Sequence, residues 1–213
     1  MDEPSNQDII DATTSCHPEA FDRLVTPYSE RLLRLIDLRL DRRILGRVGS
    51  DDILQEVHMA AYRQLPHYLP RSQTPFYVWL RAIAVNKLLE VHRRHLGTKQ
   101  RDARRESADR ISPSEASSHI LAQHFVDRGT SPSNALMREE IKSRLETCID
   151  RLAPSDRDIL ALRHFEQLSP TETAHVLQLT EKAAGMRYTR ALRRLKSELE
   201  AAGGALSAWN LES

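Results

Sequence analysis

Aromatic residues make up only 5% of this 213-residue chain, and glycine occurs seven times. Sheets draw on aromatic and β-branched side chains, so the shortage points to helices. Cysteine is scarcer still. Cys16 and Cys148 lie far apart, with no CxxC or Cys/His ligand spacing. That speaks against a disulfide framework or structural zinc and fits a reducing cytoplasm. Nine histidines are present, but no pair has the i, i+4 spacing with a carboxylate that a helix-borne zinc site uses. His92 and His95 flank Arg93 and Arg94, which repel a cation. No apolar run approaches the roughly 20 residues of a membrane helix, and the opening MDEPSNQD is acidic where a secretion signal is basic. No nucleophile, base and orienter, and no phosphate loop, stand together. The expectation is a cytoplasmic protein that is not an enzyme and carries no metal or other cofactor.

What is present is charge, at 29% of residues, and it is segregated. The net charge is only +1, so the chain as a whole is no generic polyanion binder. Between Arg71 and Arg105, nine Lys/Arg face two acids, Glu90 and Asp102. Between Lys182 and Lys196 there are six Lys/Arg and no acid. A phosphate backbone feels local charge across a Debye length of roughly 8 Å, not net charge. The length allows one or two domains, each with its own core.

From Pro18 the residues Phe21, Leu24, Val25, Tyr28, Leu32, Leu35, Ile36, Leu38 and Leu40 recur at helical steps, with Pro27 set to break the helix. The stretch from Ser50 to His95 has three parts. Ile53, Leu54, Val57, Ala60, Ala61 and Leu65 form one stripe of a helix that Ser50 or Asp51 can cap, with Asp52, Gln55 and Glu56 on its outer face. Pro66, Pro70 and Pro75 bracket a polar loop, Arg71 to Thr74. A second helix carries Phe76, Trp79, Leu80, Ile83 and Leu88 or Leu89, with Trp79 assigned to the core and Lys87, Arg93 and Arg94 toward its end. Residues 97–131 are serine-rich; Ile111, Ile120, Leu121, Phe125 and Val126 suit one short helix, but their pattern is weak, and the segment is read as a flexible linker. Ser131-Pro132 then restarts helix, and Met137, Ile141, Leu145, Cys148, Ile149 and Leu152 line one face. Ser169 and Glu172 have capping-box spacing, Gln178-Leu179 turns the chain, and Thr180 caps a helix to about Leu199. Together these last elements form a helix-turn-helix. Residues 200–213, with Trp209, extend beyond it.

Two long motifs carry a resemblance. Asp52 to Val57 (DILQEV) and Phe76 to Asn86 (FYVWLRAIAVN), followed by Arg93-Arg94, resemble the second conserved region of extracytoplasmic-function (ECF) sigma factors. Leu152 to Ser169, Glu172, Ala174 and Arg187 to Leu195 resemble their fourth conserved region. The chain departs from that pattern at Gln167 and Gln178, where glycine is usual, at Ala82, where arginine is common, and at Gly185-Met186, where a basic residue and serine are usual.

The resemblance implies an all-α protein of two helical domains joined by a flexible linker: a region 2-like domain over 17–96, a linker over 97–131, a region 4-like helix-turn-helix over 132–199, and an extension over 200–213. It implies binding of core RNA polymerase through Asp52, Gln55 and Glu56. The melted −10 element would meet Arg71, Ser72, Gln73, Thr74, Asn86, Lys87, Arg93 and Arg94, with Asn86 and the loop around one flipped base. The duplex −35 element would meet Lys182, Ala183, Met186, Arg187, Thr189, Arg190, Arg193 and Arg194. An anti-sigma factor is a further partner that the resemblance admits. The competing class is a stand-alone helix-turn-helix regulator on an operator, which has no need of the Asp52 to Asn86 motifs.

Overall fold

The computed structural model describes residues 5, 8–9, 18–41, 43–44, 46–68, 74–96, 115–129 and 135–202. Among the described residues every regular element is helical, and the chain divides into two compact units, Met1–Ile111 and Ser112–Ser213. The expectations for Cys16, Arg71 to Gln73, Ile111, Ser131-Pro132 and Trp209 fall outside the described residues.

In the first unit, helix α1 (Pro18–Val25) ends in a 3-10 turn at Thr26–Tyr28, and α2 follows over Ser29–Arg39. The break sits at Pro27, whose nitrogen cannot donate to the preceding turn. The nine apolar positions from Phe21 to Leu40 named above are all buried. Helix α3 (Ser50–Gln64) begins differently from expectation. Gly49 is its N-cap residue, and Asp52 Oδ2 accepts the Gly49 N–H at 3.2 Å. Ser50 lies inside the first turn and donates its hydroxyl to Asp37 of α2. The negative charges of Asp51 and Asp52 also suit the positive end of the helix dipole.

Helix α4 (Phe76–Leu96) packs against both α2 and α3, so it buries more than one stripe: Phe76, Tyr77, Leu80, Ile83, Ala84, Val85, Leu88 and Val91. Phe76 and Tyr77, not Trp79, are the fully enclosed rings. The buried Arg31 guanidinium lies 3.6 Å from the Tyr77 ring centroid, a cation–π contact out of water. Trp79 is only half-buried and stacks at the loop end of the unit, 4.9 Å from Tyr68 and 5.3 Å from Phe76. The Tyr68 hydroxyl donates to the Thr74 carbonyl at 2.9 Å, which clips the two ends of the loop together. At the other end of α4, His92 Nε2 accepts the Asp41 N–H at 3.3 Å. The Arg43 guanidinium beside Asp41 holds that carboxyl down at about 2.

The second unit corrects the linker boundary. Glu115–Gly129 is a helix, α5, that packs along α6 (Ala135–Arg151), so the described part of the serine-rich segment is built into the core. Ser118, Leu121, Ala122 and Phe125 form its inner stripe, joined by Val126. Two of those five are small, which is why the stripe reads faintly in the sequence. His119 Nδ1 meets Glu146 at 3.0 Å and Arg138 pairs with Asp127 at 2.7 Å across the same helix pair.

Helix α7 (Pro154–Leu160) widens into a π turn over Ala161–Phe165, with the Glu166 N–H reaching back to the Ala161 carbonyl at 2.9 Å. The wide turn encloses Ala161, Leu162, His164 and Phe165 together. Helix α8 (Pro170–Leu177) starts with the predicted capping box: Ser169 Oγ accepts the Glu172 N–H at 3.1 Å, and Glu172 accepts the Ser169 N–H at 2.6 Å. Thr180 caps α9 (Glu181–Ala201) through the Ala183 N–H at 3.2 Å. Gln167 and Gln178, the two departures from glycine, are the non-glycine residues with positive φ among those described, at 55° and 53°. Each holds a left-handed turn at a cost of about 1 kcal/mol that glycine would avoid.

If α5 is part of this core, Phe125→Ala should lower the stability of the second unit by about 3–5 kcal/mol. Urea unfolding, followed by hydrogen exchange resolved to each unit, checks this. The exchange of α1 to α4 should not change.

Candidate nucleic-acid interface

Three surfaces hold most of the predicted site residues that are described. The first is the outer face of α3. Asp52 and Gln55 are exposed, while Glu56 is half-buried and sits 3.8 Å from Lys87 of α4. Met59 continues this face with half its surface in water. Part of the acidic patch therefore faces outward, and part is balanced from within the unit.

The second surface is a groove of about 430 Å³ between α3 and α4, lined by Ala60, Gln64, Ile83, Asn86, Lys87, Leu89, Glu90 and Arg93. Lys87 donates to Glu90 at 2.9 Å and Arg94 donates to the same carboxylate at 3.2 Å. The hydrogen bond and charge of Lys87, helped by Arg94, hold the Glu90 carboxyl below the usual range. Two of the three predicted cations are thus tied to one acid. Arg93 is left as the groove cation without a carboxylate partner among the described residues.

Asn86 is exposed, and with Gln64 it brings two amides to the groove. Each amide can donate and accept, which suits a base edge. Of the predicted pocket of loop and Asn86, the described residues hold Thr74 and Asn86. Thr74 precedes α4, whereas Asn86 lies about 15 Å along the helix axis from its start, at 1.5 Å per residue. Gln64 and Glu90 were missed by sequence reasoning. Their only signal was the packing register of α3 on α4, which periodicity alone does not set.

The third surface is α9, the second helix of the helix-turn-helix. Ala184, Ala191, Leu195 and Leu199 are buried. Lys182, Gly185, Met186, Thr189, Arg190 and Arg193 are exposed, and Ala183 and Arg187 are half-buried. Gly185 sits in a helix interior, where glycine costs about 1 kcal/mol against alanine. A side chain there would meet nothing within 4 Å, so packing does not demand it.

Arg194, expected at the −35 duplex, keeps 59% of its side chain exposed and pairs with Asp156 of α7, whose side chain is only 5% exposed. Tyr188 points inward: its hydroxyl and His164 Nε2 are 2.8 Å apart. Burial pushes the Tyr188 phenol up, so it stays neutral. His124 of α5 donates from Nε2 to the His164 carbonyl at 2.8 Å, linking α5, the π turn and α9 in sequence. Thr171 of α8 donates to Glu181 at 2.6 Å and fixes the start of α9.

Residues 142–195, from within α6 through most of α9, match the family model for sigma-70, region 4. The chain is 31% identical over 176 residues to the ECF RNA polymerase sigma factor SigD of Mycobacterium bovis, covering 80% of this chain and 75% of that protein. This chain belongs to the ECF sigma factor family. It is also 28% identical over 200 residues to the RNA polymerase sigma-H factor of Pseudomonas aeruginosa, spanning 94% of this chain and 96% of that one. Among solved structures, CnrH in complex with the cytosolic domain of CnrY shares the fold, with a TM-score of 0.54 at 22% identity over 92% of this chain and 97% of that chain. The all-α, two-unit architecture is that of an ECF sigma factor. No described helix is long and apolar enough to cross a membrane.

The two neighbouring arginines of α9 should separate cleanly. Arg194→Ala leaves the buried Asp156 charge without its partner and should cost about 1–3 kcal/mol of stability in the second unit. Arg193→Ala, on an exposed cation, should leave the urea midpoint almost unchanged.

Proposed function

We propose that this sigma factor binds core RNA polymerase, carries it to promoters and holds the opened strand, working in the cytoplasm and without catalysis of its own. The observation that supports this most is the face of α9, where Lys182, Arg190 and Arg193 stand exposed on a helix-turn-helix with no acid from 182 to 196. Cations that are not neutralised from within the fold are available to phosphates, and the side chains between them to base edges. Residues 17–96 would act on polymerase and the −10 element, and 132–199, extended by α5, on the −35 element. Asp52, Gln55 and the outward part of Glu56 form the docking face for a basic partner surface, where such charges set on-rate and specificity.

In this reading the melted strand runs along α4, from Thr74 at its start to Arg93 near its end. The groove at Asn86 and Gln64 takes one unstacked base. Arg94 stands at the same end, paired to Glu90. Within the loop, Arg71, Ser72 and Gln73 are proposed to meet the strand before it reaches the groove. An anti-sigma factor is a further proposed partner, in keeping with family membership.

The test uses the full chain with core polymerase on a promoter fragment, reading permanganate reactivity of thymines beside polymerase retention. Asn86→Ala should leave retention intact and weaken opening about tenfold, the scale of one lost base contact. Asp52→Asn with Gln55→Ala should lower retention itself, and the asparagine keeps an oxygen for the Gly49 N–H. Opening by the Asn86 variant equal to wild type would remove the groove from the account.

A further inference from the structure

The reading face of α9 has charge at its rim and none at its centre. Lys182 lies at one end and Arg190 and Arg193 at the other, with Gly185, Met186 and Thr189 between them, all exposed. Met186 keeps 50% of its surface in water, one of three large apolar side chains so exposed among the described residues. The polar groups nearby are turned away from the centre. Thr189 Oγ1 donates to the Gly185 carbonyl at 3.1 Å, which leaves its methyl group as the free substituent. Arg190 Nε donates to the Met186 carbonyl at 3.3 Å, which holds its guanidinium back along the helix. A Cβ added at Gly185 would point into open space, so packing inside the protein does not ask for glycine there. A missing side chain at an exposed helix position is useful only to something approaching from outside.

We propose that Gly185 and Met186 form a seat for the 5-methyl group of a thymine in the major groove of the upstream promoter element. This inference rests on the reading of α9 as the duplex-recognition helix. The chemistry of the groove selects the ligand. Purine edges offer N7 with either O6 or N6, cytosine offers an amine, and only thymine presents a methyl group. A basic residue at this point would favour guanine. The flexible, polarizable thioether of Met186 instead fits an apolar knob, and Gly185 lets the helix backbone come close. Ala183 and the Thr189 methyl flank the seat and add no competing hydrogen-bond group.

The test uses holoenzyme assembled from the full chain and core polymerase, with an upstream duplex selected by that holoenzyme from a randomised library. Each thymine of the selected element is replaced singly by deoxyuridine, which removes one methyl group and nothing else. At one position the wild type should lose about fourfold in affinity, the equilibrium factor for burying one methyl-sized group. Met186→Ala should bind thymine and deoxyuridine alike at that position, because the contact is already gone. Gly185→Ala should raise the melting temperature of the chain yet lower affinity for the selected duplex. A selected element without thymine, or one in which every deoxyuridine substitution stays within about twofold, overturns the methyl seat while leaving α9 as the reading helix. Failure of the holoenzyme to select any upstream sequence overturns the reading of α9 itself, and this inference with it.

Discussion

The burial of Ala184, Ala191, Leu195 and Leu199 fixes the rotation of α9, and the second unit depends on that rotation. A helix held by one face presents the opposite face at a defined angle, and here that face carries Lys182, Arg190 and Arg193 without internal acids. That buried face packs against α7 and α8, and close packing resists small rotations. Two polar contacts finish the constraint. Asp156 holds Arg194 from α7, and His164 in the π turn holds Tyr188. Because His124 of α5 grips the His164 carbonyl, the helix that precedes the sigma-70 region 4 match contributes to the posture of α9.

The first unit solves a different problem, presenting two surfaces on adjacent helices. Packing of α4 against both α2 and α3 buries most of the unit's aromatic rings, and the Arg31–Tyr77 contact places a cation inside the fold. With those positions taken inward, α3 keeps Asp52 and Gln55 outward, and the seam between α3 and α4 becomes the groove at Asn86. Glu90 ties down Lys87 and Arg94, which leaves Arg93 as the groove cation. The groove's positive charge is therefore narrower than the run of basic residues suggests.

Features set by nearest neighbours were legible in the sequence. Pro27 breaks its helix, Ser169 and Glu172 close their box, and Thr180 caps α9, because each depends on residues within four positions. Glycine's usual places at 167 and 178 also marked the two left-handed turns, though glutamine fills both. Features set by distant partners were not legible. The inner stripe of α5 includes Ser118 and Ala122, which look like linker until α6 covers them. Ser50 looks like a cap, but Asp37 offers its hydroxyl an acceptor across the unit. Arg194 looks like any other cation of α9 until Asp156 is seen beside it. Nor does helical spacing say which of Tyr77 and Trp79 is enclosed, since that depends on α2 as well as α3.

The central claim is that this chain confers promoter choice on an enzyme that lacks it. The most direct measurement adds the purified chain to core RNA polymerase on a pooled library of random promoter fragments and sequences the transcripts. The account predicts transcripts absent from core alone, with start sites at a fixed distance from two shared elements separated by a constant spacer. Transcripts identical to those of core polymerase alone would contradict it.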